Sequence, residues 1–150
     1  MADNNDILST IEDLIHVCKD GETGYLHAAG TVKDAELKIW LEEQSRERHH
    51  FLQELKEIAG RFGKSDPDTS GTVSGTLHRA WFETKADLGM GDESVISSVE
   101  TGEDAAKDAY QKALNSNLPA EVRAVVQRQS ERVLAAHNRV RDLRDRSKAA

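Results

Sequence analysis

Two glutamates stand alone on helical faces that are otherwise apolar. Ile96, Val99, Glu103, Ala106, Tyr110 and Ala113 recur at steps of three and four, so a helix over this stretch places them on one side. Ile11, Ile15, Cys18, Glu22, Tyr25 and Ala29 do the same earlier in the chain. A carboxylate inside an apolar stripe is costly unless a proton, a cation or a metal compensates it. Glu22 and Glu103 are therefore the first residues to which chemistry can be assigned. The same spacing also allows a polar pair in the core, balanced by Arg48 or a histidine or sharing a proton, with no catalysis.

The neighbouring reactive groups add little by themselves. Tyr25 and Tyr110 lie three and seven residues beyond the two glutamates. They read as core aromatics with bonded hydroxyls. Cys18 shares the Glu22 face and reads as a small buried residue. His16, His27 and His78 carry no assignment. The chain contains no Gly-rich phosphate loop, paired zinc-type cysteines or nucleophile elbow.

Long helices are needed to position these groups, and the sequence supplies them. The first is expected over 6–29, capped from Asp3–Asp6 and broken at Gly30-Thr31. Asp34 starts a second that ends near Phe62 at Gly63, with Leu37, Leu41, Gln44, Arg48, Phe51, Leu55 and Ile58 inward. Residues 63–75 form the one long loop, and 76–88 suggest a shorter helix. Asp92 is expected to cap a helix over 93–115. Pro119 opens the last helix, to about 145, with Val122, Val126, Gln129, Val133, Ala136, Val140 and Leu143 inward. A weak internal repeat pairs Gly21-Glu22 with Gly102-Glu103, and Ala35-Glu36 with Ala120-Glu121. Two helical hairpins, 6–62 and 92–145, joined by a crossover over 63–91, account for it within a single domain.

Composition narrows the function classes. The 150 residues carry a net charge of −7, which disfavours non-specific nucleic-acid binding. The Arg-rich end of the last helix, interleaved with Asp142 and Asp145, reads as a solvated face. No apolar run is long enough to cross a bilayer. One cysteine forbids an intrachain disulfide, and the acidic N-terminus is unlike a secretory signal, so a cytoplasmic protein is expected.

Five phrases spread over most of the chain carry a family resemblance: C-K-D-G-E-T-G-Y (18–25), G-T-L-H-R-A-W (75–81), G-E-D-A-A-K-D-A-Y (102–110), L-P-A-E-V-R-A-V-V-Q-R-Q (118–129) and A-A-H-N-R-V-R-D-L (135–143). They resemble a bacterial family of small ferritin-like four-helix-bundle proteins of unknown function. The resemblance implies an all-α, up-down bundle whose crossover carries a short extra helix.

It also implies a candidate metal centre of iron or manganese, in stress or metal homeostasis. Ferritin-like metal proteins draw one glutamate from each of two helices and a Glu-x-x-His from each of the other two. Glu22 and Glu103 match the single glutamates. In the second helix Glu47 and Glu54 are about 10 Å apart at 1.5 Å per residue, so both cannot reach one centre. His50 and Glu54 are the better level, with Glu47 in reserve. In the last helix, His137 has Leu134 where the motif wants glutamate, and Glu131 is six residues away. The implied ligands are thus Glu22, His50, Glu54, Glu103 and His137, an incomplete pair of sites. The alternative is a non-catalytic bundle with a degenerate site. Trp40 and Trp81 read as large apolar packing groups; a homodimer is expected, with Trp40, Trp81 and Phe82 the candidates for its contact, and a 24-subunit shell is not expected.

Overall fold

The computed structural model describes residues 3–67, 69, 81 and 91–149. Among these residues the protein is all-α, with four helices and no strand. The helices are α1 (Asn4–Thr31), α2 (Ala35–Arg61), α3 (Asp92–Leu114) and α4 (Ala120–Ala149). The expected short helix over 76–88, with His78, and Phe82 lie outside the described residues apart from Trp81.

The helix ends are set by local chemistry. Asp3 caps α1 by accepting from the Asp6 N–H at 2.9 Å. Asp34 caps α2 by accepting from the Leu37 N–H at 3.0 Å. Past Arg61, Gly63 adopts φ +98° while Lys64 N–H donates to the Ala59 carbonyl, a Schellman ending that only glycine enters freely. Arg123 of α4 donates to the Leu114 and Ser116 carbonyls at 2.6 Å each, tying off the end of α3.

Two ends differ from expectation. The first helix runs through Gly30 to Thr31. Asp92 is not the cap of α3, which follows Gly91. Its carboxylate instead accepts from the Lys33 and Asp34 N–H groups at 2.8 and 2.9 Å. It therefore holds the α1–α2 turn from a distant part of the chain, and the chain turns where that anchor is.

Cross-helix pairs give the relative directions. Ser45 Oγ donates to the Glu22 carbonyl, and Tyr25 meets Trp40, so α1 and α2 are antiparallel. Cys18–Tyr110 and Lys33–Asp92 make α1 and α3 antiparallel. Tyr110–Gln129 and Glu100–Arg144 do the same for α3 and α4. It follows that α2 and α3 are parallel, and the chain between them must return over the length of α2, about 40 Å at 1.5 Å per residue.

The inward stripes read from the sequence are the stripes observed, apart from the partly buried Glu22 and Leu143. The apolar core falls into two clusters. One gathers Ile11, Ile15, Leu55, Ala106, Val126 and their neighbours. The other gathers Ala29, Leu41, Val99, Val140 and their neighbours. Trp81 belongs to the second, at 2% exposure, so it cannot serve in the expected dimer contact. Trp40 is partly buried against the same cluster.

The Asp92 anchor yields a direct check. Asp92→Ala should lower the unfolding free energy by about 1 kcal/mol, the scale of hydrogen bonds to a partly exposed carboxylate. Asp142→Ala, on the solvated face, should change it by less than about 0.5 kcal/mol. Urea unfolding followed by circular dichroism measures both.

Candidate functional site: a buried ion pair at the bundle centre

Between the two apolar clusters lies a polar layer. Arg48 of α2 and Glu103 of α3 are 1% and 0% exposed. Arg48 Nη2 lies 2.7 Å from both carboxylate oxygens and donates to Oε2. Each side chain emerges from the inward stripe of its helix, so helical periodicity alone aims the two at each other. Gly21 of α1 leaves the room the arginine needs: a Cβ there would stand 3.0 Å from Arg48 Nη1 and 3.2 Å from its Cγ.

Tyr25 of α1 completes the layer. Its ring centroid is 5.4 Å from Arg48 Cζ, an arrangement that adds a cation–π attraction. Burial pushes the Tyr25 hydroxyl well above its usual pKa, and the Glu103 charge adds to this. Burial works against the Arg48 charge, but Glu103 more than offsets it and holds the guanidinium above its ordinary value.

A second polar chain crosses the cluster that contains Ile15 and Leu55. Cys18 Sγ and Tyr110 Oη are 3.1 Å apart, and Tyr110 donates to Gln129 Oε1 at 2.7 Å. Gln129 Nε2 donates to the Phe51 carbonyl at 3.3 Å and to Glu54 Oε1 at 3.1 Å. Glu54 also accepts from Arg128 at the surface. Burial raises the Glu54 carboxyl, but the bonds from Arg128 and Gln129 outweigh it and hold it below its ordinary value. Burial pushes the Cys18 thiol up to about 11, partly opposed by Tyr110. The thiol is thus neutral and shielded, the opposite of a nucleophile.

The five expected ligands go to four places. Glu103 faces Arg48. Glu22 lies at the α1–α2 rim and not in the dry centre: its side chain is 17% exposed, Lys19 Nζ donates to it at 3.0 Å, and His49 Nδ1 is 2.6 Å away. The wheel gave its face correctly, but its long side chain reaches out along the groove. His50 is exposed, and its neighbour Glu54 is engaged by α4. His137 Nε2 is 2.6 Å from Asp104 Oδ1, away from Glu103. Glu47, the reserve candidate, accepts from Arg132 at 3.1 Å. Among the described residues there is no group of three or more His, Cys, Asp or Glu that could hold a metal ion.

Gln129 and Trp81 were not singled out as site residues, yet both border the polar groups. The signal for Gln129 was present, since it joins Gln44 and Arg48 as a polar residue on an otherwise apolar inward stripe.

The fold and the charged layer define an all-α helical-bundle protein with an internally compensated core. Residues 6–116 match the family model described as "Domain of unknown function (DUF2383)", and the chain belongs to that family. The match takes in α1, α2 and α3, with Arg48, Glu103 and Tyr25 all inside it. No curated protein matches the chain.

Two outcomes are expected. Arg48→Met and Glu103→Leu should each destabilise by about 3–5 kcal/mol, because each strands a buried charge. The double variant should recover most of that loss, and a double-mutant cycle by chemical denaturation measures the recovery. Separately, the raised Cys18 pKa means the folded state holds a proton that the unfolded state releases near 9.0. Stability from this group is therefore present below pH 9 and is lost as pH rises towards 11, with Tyr25 and Tyr110 acting in the same direction. Melting temperatures should fall above pH 9, and Cys18 should resist thiol reagents until the protein unfolds.

Proposed function

We propose that this protein is a non-catalytic, ferritin-like bundle whose ancestral metal centre has degenerated, leaving a guanidinium as the resident cation and a scaffold that works through its surface. The carrying observation is the Arg48–Glu103 pair, with both side chains buried and 2.7 Å apart. The parallel run of α2 and α3 supports the ferritin-like crossover, since a return connection is what that topology needs.

The donor chemistry of the centre does not suit a divalent metal. A metal needs several converging lone pairs. The buried atoms of the layer without a hydrogen-bond partner are Arg48 Nε and Nη1, which are N–H donors, together with Glu103 Oε1 and the Tyr25 hydroxyl, so one carboxylate oxygen and one hydroxyl are the lone pairs on offer. A cation beside Glu103 would also stand next to a buried positive charge. The reading with iron or manganese held by Glu22, His50, Glu54, Glu103 and His137 would require Arg48 to leave Glu103. It would also require Glu22, Glu54 and His137 to give up Lys19 and His49, Arg128, and Asp104.

Elemental analysis of protein purified without chelator, before and after incubation with ferrous and manganous salts, tests this. Iron and manganese are expected far below one equivalent per chain, unchanged by Glu22→Ala or Glu103→Ala. One or more equivalents of metal, lost in both variants, would establish the metal-binding reading instead.

A further inference from the structure

The α1–α3 seam contains a seat for an aromatic ring. Gly24 of α1 and Gly102 of α3 both face the Trp81 indole. A Cβ on Gly24 would lie 2.1 Å from Trp81 Cε3 and 2.5 Å from Cδ2. A Cβ on Gly102 would lie 2.3 Å from Cε2 and 2.4 Å from Cδ2. Carbon atoms in contact stand about 3.5–4.0 Å apart, so any other residue at either position overlaps the indole. Both helices thus carry glycine, a poor helix former, at mid-helix, and both glycines meet Cδ2 of one bicyclic side chain.

The fit is close. A cavity of about 10 Å³ remains beside the indole, lined by Gly24, Ala28, Val95 and Val99 among others. The Tyr25 ring lies 5.2 Å from the indole at 58°, and the guanidinium of Arg48 sits over that same tyrosine. Trp81, at 2% exposure, is thus one residue removed from the ion pair.

We propose that Gly24 and Gly102 form a receptor for one planar aromatic group of indole size, and that Trp81 is its intramolecular ligand. The contact fixes Trp81 between α1 and α3, with its indole against Tyr25. This assignment does not depend on whether the centre binds metal, so metal analysis and the following experiment can fail independently.

The protein holds only two tryptophans, so a Trp40→Phe chain reports on Trp81 alone. In that protein Trp81 emission should be blue-shifted and nearly inaccessible to acrylamide. Emission and quenching like those of an exposed tryptophan would overturn the proposal. Adding Gly24→Ala or Gly102→Ala should shift the emission to the red and raise the quenching constant several-fold, while the helical circular dichroism remains. A folded variant with unchanged emission would overturn it. In the otherwise native chain, Trp81→Gly should be rescued by free indole: its melting temperature should rise with indole concentration, or helix should return if the variant is unfolded. No response to indole in either state would overturn the proposal.

Discussion

A charged arginine in the dry middle of a bundle must be answered by an anion, and Glu103 is the group that answers it. This single requirement links α2 and α3, two helices with thirty residues of chain between them. It fixes how far α2 is rotated about its axis, because Arg48 must face inward. It fixes α3 likewise, because Glu103 must lie at the same level. Two apolar clusters pack above and below the pair. Apolar packing tolerates many registers, whereas two buried charges tolerate few, so the polar layer selects among them.

Glycine is the device that lets bulky groups into this layer. Gly21 admits the arginine, and Gly24 and Gly102 admit the tryptophan. Each weakens its helix locally, and each is offset by a large side chain brought from another part of the chain. The second polar chain, from Cys18 through Tyr110 and Gln129 to Glu54, crosses the cluster of Ile15 and Leu55 and ends in solvent at Arg128. One layer is therefore confined to the interior and the other opens at the surface.

Much of this architecture was legible in the sequence. The inward stripe of α2, from Leu37 to Ile58, was read residue by residue, because helical periodicity is a local property with a strong signal. Arg48 stood on that stripe and was a candidate to balance a buried glutamate. What could not be read was non-local. The face of Glu22 was right, yet its carboxylate ends at the rim beside Lys19 and His49, because a wheel gives an angle and not the reach of a side chain. Asp92 reads as a cap on its own helix and instead serves the α1–α2 turn some sixty residues earlier. Trp81 reads equally as a packing group and as a dimer contact, and it packs in the core; nothing in its own neighbourhood reveals the two glycines on other helices that receive it.

The central claim is that a guanidinium, and not a metal ion, neutralises Glu103. An experimental structure from crystals grown with manganous salt, with anomalous data collected for manganese, tests it most directly. The account predicts Arg48 Nη2 within hydrogen-bond distance of the Glu103 carboxylate, with no anomalous peak beside it. A manganese peak at bonding distance from Glu103, with Arg48 turned away, would contradict it.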